Sequence, residues 1–407
     1  MYDYIIIGGG ISGFYCALEI LKHNKDKKIV LCEKYSSLGG RISTFHKGDI
    51  QWEAGAGRIS TKHTMLLDLL KKYNHTLYPI TGELQYKTDC LEADYFEKGV
   101  DAFIKPLASL DANTLANSTV KELLIKIHGK DVAENYLDRF PYRAEAEVLR
   151  ADLGIKSLCG EMGPHEKYVV SGQGLSDLIE QMKDEFLACG GKILYNYTCV
   201  NVNTKNTITI DFLSGPHKSE RTKVKLQTHK LICAMESEAL CKIPYFSKLH
   251  VLKYLRMEPL LRTYAVYDKP WFSQIPKIVT PGPIRYFIPI NYEKAVAMVS
   301  YTDSRDTVGF HNILKKYGEV SLGKHIQNLL KKLFGSVPDY SFFKSHYWKY
   351  GATYWLPGNY DPIEESRKSL KPFEEEIYIV GESFSLKQAW IEGALMQSKK
   401  LFDTYRI

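Results

Sequence analysis

The chain has 407 residues, 44% of them hydrophobic, and a formal charge of +7. That length and composition bury a sizeable core, predict two domains, and exclude collagen-like, disordered and coiled-coil classes. The charge comes from scattered lysines, 42 against 12 arginines, which reads as solvated surface and not as a nucleic-acid face. With 28 tyrosines the lysine skew resembles the coding bias of an AT-rich genome, such as that of a protist or a large DNA virus.

In chain order, Tyr4-Ile5-Ile6-Ile7 is a short apolar run of the kind that forms a buried parallel strand. It begins almost at Met1, lacks a basic leader and runs straight into glycines, so no signal peptide is expected. Gly8-Gly9-Gly10-Ile11-Ser12-Gly13 then fits GxGxxG, and Phe14 to His23 reads as a helix. In such a turn Gly8 permits the tight bend, Gly10 the approach of a pyrophosphate, and Gly13 close helix–strand packing; the helix N-terminus attracts the phosphate charge. Lys28 to Cys32 is a second apolar strand, ending in Glu33 twenty residues after Gly13, where a carboxylate accepts from ribose hydroxyls. Strand, glycine turn, helix, strand and acid together predict an α/β dinucleotide-binding domain of Rossmann type.

Glu33-Lys34-Tyr35-Ser36-Ser37-Leu38-Gly39-Gly40-Arg41 extends the pattern. An acid, a short spacer and Gly-Gly-Arg resemble the flavin monoamine oxidase superfamily, which includes monoamine, polyamine and L-amino-acid oxidases and the flavin histone demethylases. The resemblance implies that FAD is the cofactor and that Arg41 meets its pyrophosphate, with Gly39 and Gly40 beside it. A guanidinium fork suits a diphosphate. Gly55-Ala56-Gly57-Arg58 resembles the family's small-residue segment against the flavin ring; Arg58, where the family carries a smaller or aromatic residue, could face the pyrophosphate or the substrate.

Asp111 to Ser118 reads as a polar loop, and Ser171-Gly172-Gln173-Gly174-Leu175 opens a helix through about Leu187. The strands that follow, Lys192 to Asn196 and Cys199 to Val202, resemble the family's second FAD-binding section and put Cys199 at the adenine. His229 to Ala234 resembles the strand that returns the chain to the flavin domain. Thr302 to Thr307 reads as another loop. Near the C-terminus, Ile377-Tyr378-Ile379-Val380 is a buried strand leading to Gly381-Glu382, and Trp390-Ile391-Glu392-Gly393-Ala394 opens the last helix. This resembles the family's closing motif, which places Gly381 and Glu382 on the ribityl–phosphate and Ile391 and Ala394 at the flavin. A helix N-terminus there favours the negative charge of a reduced ring.

The expected fold is a glutathione-reductase-like FAD domain, residues 1–79, 166–247 and 346–407, with an inserted α+β substrate domain, 80–165 and 248–345. The catalytic positions depart from the family. Trp390 matches one aromatic wall. The segment Trp348 to Gly358 matches the other, with Gly351 at the wall and Tyr350 where some members carry a flavin-linked cysteine, so FAD is expected to be non-covalent. Tyr350, Tyr354 and Trp355 read either as pocket lining or as packing. Arg262 replaces the usual lysine; it can order water or hold a carboxylate but is no base, and a structural arginine paired with an acid is the rival reading.

The function implied is oxidation of a small amine between the domains, by hydride transfer to flavin N5, imine hydrolysis and reoxidation by O2 to H2O2. The alternatives are a desaturase- or porphyrinogen-oxidase-like flavoenzyme and a flavin-bound structural protein without turnover. The eight cysteines form no CxxC or metal spacing, no metal site is visible, and a reducing compartment such as the cytoplasm is expected, or a virion if the gene is viral. No run of about 18 apolar residues is present, so no membrane span or tail anchor is expected.

Overall fold

The computed structural model describes residues 1–80, 85–86, 95–140, 142–160, 162–163, 166–280, 282–405 and 407. Two sheets carry it. In the first, seven-stranded sheet, β1 (Tyr2–Ile7) lies between β2 (Ile29–Cys32) and the long strand Thr222–Cys233, parallel to both. Lys192–Leu194 extends the parallel set beyond β2, and Ile377–Ile379 pairs with the end of the long strand. The first half of that long strand pairs antiparallel with Ile208–Ser214, which pairs in turn with Tyr197–Asn203.

The apolar run of β1 is buried on both faces, which is why it shows no polar alternation. Tyr4 and Ile6 enter one core with Phe14, Leu178, Phe186 and Leu395; Ile5 and Ile7 enter the other with Phe212, Phe246 and Trp355. Helix α1 (Ile11–His23) starts three residues earlier than the sequence suggested, because Gly10 is its N-cap and the glycine turn is its first turn. It packs between the helices Leu175–Ala188 and Ile391–Tyr405.

The second, six-stranded sheet runs in the order Phe342–Trp355, Leu255–Val266, Val296–Asp303, Tyr286–Asn291, Ile278–Val279, Gln85–Tyr86. Residues 346–355, expected with the FAD domain, therefore belong by hydrogen bonding to this sheet, paired with Leu255–Val266. The helices between 95 and 159 pack on it around Tyr136, Tyr142 and Tyr286. Two expected loops are ordered elements. Asp111 caps the helix Ala112–Ala116 through Thr114 N–H, and Thr302 lies in the strand Val296–Asp303, which passes through Ser304–Asp306 into the helix Thr307–Phe334. At the first place the polar residue that suggested a loop is a helix cap; at the second the polar residues finish the strand and form a tight turn, in which the Thr307 hydroxyl donates to Ser304 O at 2.8 Å. No helix among the described residues is long and apolar enough to cross a membrane.

Candidate active site

The glycine turn is shaped by its neighbours. A Cβ on Gly8, whose φ is +112°, would lie 2.3 Å from the Ala234 carbonyl oxygen, and one on Gly13 would lie 2.0 Å from that of Gly8. Gly10 and Gly40 are different. The nearest atoms to their absent Cβ positions are Gly39 O at 3.7 Å and Gly10 Cα at 3.9 Å, so neither position is crowded by the protein, although Gly40, at φ +60°, has a backbone that favours glycine. The two face each other across the N-terminus of α1, where Gly10 offers no side-chain cap to the free N–H groups. Glu33, 7% exposed, accepts from Gly9 N–H at 2.7 Å and Tyr35 N–H at 2.9 Å, and each oxygen keeps a further lone pair. An open slot lined by glycine backbone, free N–H groups and an acid fits a dinucleotide phosphate with its ribose.

The closing motif meets this slot. Glu382 Oε2 accepts from Arg41 Nη1 at 2.7 Å and from the Thr353 hydroxyl at 3.1 Å, while Oε1 accepts from the N–H groups of Thr353 at 3.0 Å and Ala389 at 2.7 Å. Arg41 also donates to the Gly351 carbonyl at 3.3 Å. One buried carboxylate thus ties the Gly-Gly-Arg loop to the strand Phe342–Trp355 and to the approach of the last helix. Ser12 reaches the same helix, donating to Ala394 O at 3.3 Å, and Ile391 and Ala394 are buried beneath it. Gly381 turns into this bracket with φ +124°. A cleft of about 550 Å³, lined by Tyr35, Leu38, Gly40, Ser176, Tyr195 and Trp348, borders the loop. Lys34 is exposed beside the Tyr35 ring. Cys199 is partly buried on the Tyr197–Asn203 strand, its thiol pushed up to about 12 by burial.

The segment Gly55-Ala56-Gly57 is clamped from below. Arg262 Nη1 donates to the carbonyls of Glu53, at 3.2 Å, and of Gly55, while its guanidinium lies over the Tyr301 ring. Arg262 Nε is buried without a partner among the described residues. Among the described residues no acid pairs with it: backbone carbonyls take the place of the acid. Gly351 is no wall either. A Cβ there would point at Leu260 Cβ, 2.7 Å away, and at Glu258 O, where the two strands slip register. Tyr350 turns to Lys242 and Lys349.

The aromatic chamber draws together residues from motifs and residues from stretches that carry none. Trp390 stacks on Tyr168 at 6.2 Å and meets the His63 ring edge-on at 4.8 Å. The Arg58 guanidinium sits against Tyr168 at 4.9 Å, Tyr142 at 5.6 Å and Trp390 at 5.8 Å, and donates to the Tyr142 hydroxyl at 3.0 Å. Tyr354, deeper in the chamber, donates to Glu145 Oε1 at 3.3 Å; Glu145 Oε2 has no partner among the described residues. Burial, with Asp303 nearby, pushes the Glu145 carboxyl above the ordinary range, and burial does the same to Asp303. Of these, only Arg58, Trp390 and Tyr354 were legible beforehand; Tyr142, Tyr168, Glu145 and His63 arrive from other segments. Among the described residues no group of three or more His, Cys, Asp or Glu could hold a metal ion.

A family model described as flavin containing amine oxidoreductase matches residues 11–400. An uncharacterized protein of Acanthamoeba polyphaga mimivirus is 20% identical, the match covering 99% of this chain and 93% of its own. Among solved structures, wild-type putrescine oxidase bound to putrescine superposes with a TM-score of 0.75 at 15% identity, covering 100% of this chain and 99% of that one. A double mutant from the same redesign of cofactor binding gives 0.75 at 15% identity, over 99% and 98%.

Proposed function

Since the chain belongs to the flavin-containing amine oxidoreductases, we propose that it binds FAD without a covalent link and oxidises the C–N bond of a small amine. The observation that carries this reading is the bracket at Glu382, which joins the opening glycine loop, through Arg41, to the last helix. On this reading Gly8 to Gly13, Glu33 and Arg41 hold the adenosine diphosphate, and Gly55-Ala56-Gly57 and the start of the helix Ile391–Tyr405 hold the ring. Bound FAD would supply the two-electron acceptor for a hydride from the carbon next to nitrogen, with O2 as terminal oxidant.

This chain's residues do the positioning. Arg262 and the Tyr264 hydroxyl, which donates to Glu53 O at 2.7 Å, fix the backbone of the small-residue segment. Trp390, Tyr168 and Tyr142 keep water from the donor carbon. A glutathione-reductase-like partition, with the substrate site between two domains, belongs to the same proposal. Tyr350, a phenol, offers no thiol for a flavin bond, which supports non-covalent binding.

The test is an absorption spectrum of purified protein, followed by anaerobic addition of monoamines, diamines and amino acids. Bleaching of the flavin by one of them supports the proposal, as does release of the flavin on acid precipitation. Colourless protein that takes up no added FAD overturns it. A flavin that photoreduces yet ignores every amine leaves FAD binding standing and overturns amine oxidation.

A further inference from the structure

We infer that the Tyr142 phenol is the group that takes the proton from the substrate ammonium, held ready for it by two neighbouring cations, Arg58 and Lys277. The inference rests on the flavin amine reading above and adds a catalytic residue to it.

The reaction needs such a group. An amine enters the chamber as an ammonium ion, and hydride leaves the neighbouring carbon only once the nitrogen lone pair is free to form the C=N bond. In the step, an N–H bond of the ammonium breaks and an O–H bond forms on Tyr142. The electron pair stays on nitrogen, and the C–H pair then passes as hydride to the bound flavin. The proton leaves Tyr142 for water once the product has gone. Arg262 cannot take this part, since a guanidinium stays protonated and this one is committed to backbone carbonyls.

The first support is charge balance. Tyr142 is 5% exposed. Arg58 Nη1 donates to its oxygen at 3.0 Å, and the Tyr286 hydroxyl, on a ring 6.1 Å away, donates to it as well. Lys277 acts on the phenol from the neighbouring strand: it stands two residues before Val279, which pairs with Tyr286 and packs in one core with Tyr142. Among the described residues neither Arg58 nor Lys277 is ion-paired with a carboxylate. The buried Arg143 has Asp138, Glu147 and Asp306, and Arg285 has Asp306. Burial drives the Glu145 and Asp303 carboxyls up to about 8 and about 7, so they supply only part of the missing charge. Two cations without a full counter-charge draw the proton off the nearest phenol.

The second support is the contrast with neighbouring phenols. Burial, with Asp303 beside Tyr301 and Glu145 beside Tyr354, pushes both of those up. Burial pushes Tyr142 up too, but Arg58, the Tyr286 hydrogen bond and Lys277 outweigh it and hold the phenol below its usual value. Burial and Arg58 hold the Lys277 ammonium down in turn, against the pull of Tyr142. Phenol and amine thus compete for one proton, and the pair can accept a second. The position is also fixed. Asp303 accepts from the N–H groups of Arg143 at 3.4 Å and Ala144 at 3.1 Å, and Arg58 ties the phenol to the Tyr168 and Trp390 rings.

The first test titrates the FAD-loaded protein with base and follows the ultraviolet band of tyrosinate. One phenol should ionise at least about one pH unit below the exposed tyrosines, which titrate at about 10. Tyr142→Phe should remove that step and Tyr168→Phe should keep it. Lys277→Met should move it up, and serves if Tyr142→Phe does not fold. The second test follows kcat/KM against pH with an amine that bleaches the flavin. Tyr142→Phe should lose about 100-fold near neutral pH and recover as the pH nears the pKa of the amine, because the free base needs no acceptor. A merely structural role would give the same loss at every pH. No early phenol step, a step untouched by these variants, or a loss that does not shrink on alkalinisation would each overturn the inference and leave amine oxidation standing. If no amine bleaches the flavin, the reading beneath falls and the inference falls with it.

Discussion

The nucleotide slot and the aromatic chamber share one strand, Phe342–Trp355, yet they are built by opposite means. The slot is mostly backbone: glycine Cα atoms, N–H groups at the head of α1, and a few charged side chains that brace them. The chamber is mostly side chain: Arg58, Tyr142, Tyr168, Trp390, Tyr354 and Glu145 come from separate stretches and meet through rings and one or two hydrogen bonds. Backbone construction constrains sequence tightly and locally. Side-chain construction leaves identity free so long as the chamber stays closed, and that freedom lets one scaffold change substrate.

The slot should therefore break at single glycines. Gly13→Val puts a branched side chain where even a Cβ lies 2.0 Å from a backbone oxygen, and backbone cannot move aside without opening the turn. FAD affinity should fall by at least about 100-fold, roughly 3 kcal/mol, measured by flavin titration of apoprotein. Retained micromolar uptake would mean that the phosphate does not sit on this turn. A smaller loss is expected at the brace. Arg41→Met removes the cation from Glu382, which stays buried with the Thr353 and Ala389 N–H groups as donors. Those remaining bonds limit the damage to about 2 kcal/mol. The melting temperature should drop by a few degrees and FAD affinity about tenfold, with Glu382→Gln similar and the double variant well short of the sum. Strict additivity would show that the two residues act separately.

That contrast also decides what could be read from the sequence. The glycine turn, Glu33, Gly-Gly-Arg and Gly381-Glu382 are short contiguous runs that obey spacing rules, because their geometry is set by adjacent backbone. Nothing local foretold that Arg41 would bind Glu382, 341 positions later, or that Gly351 would lend its carbonyl and not a wall. Alignment to a pattern gives a position, whereas the direction of a side chain depends on register, and the slip opposite Leu260 turns that stretch. Arg58 stood out only as a residue unlike its family's. Its box waited on Tyr142 and Tyr168, which lie in stretches with no spacing signal. The loop predicted at Asp111 failed for a related reason: Asp, Asn, Ser and Thr start helices as readily as they fill loops. At Thr302 the same residue types finish a strand and turn into a helix.

The smallest expected effect lies at the seam between slot and chamber, where Trp52 stacks on Tyr264 at 4.8 Å and donates to His346 Nε2 at 2.9 Å. That bond requires neutral His346, and burial, with Lys344 adding, takes its pKa down to about 4. Unfolded, the imidazole binds a proton below about 6.5, so His346 costs stability as the pH falls from 6.5 toward 4. Glu53 does the reverse. Burial carries it up to about 7 despite the Leu175 N–H and the Thr44 hydroxyl, so it keeps its proton when folded and loses it near 4.5 when unfolded. Its contribution is therefore lost as the pH rises from about 4.5 to 7. The two slopes oppose each other in one window, so this seam should add almost no pH dependence of its own between pH 4.5 and 6.5, over the loss with rising pH that Glu145 and Asp303 contribute, and each variant is read as its difference from the wild type. Glu53→Gln should uncover the histidine slope, with the urea midpoint falling on acidification. His346→Gln should uncover the carboxyl slope, with the midpoint falling on alkalinisation. Each change should be on the order of 1 kcal/mol once the side chains relax. Two single variants with the pH profile of the wild type would show that this seam does not titrate, and that slot and chamber meet through packing alone.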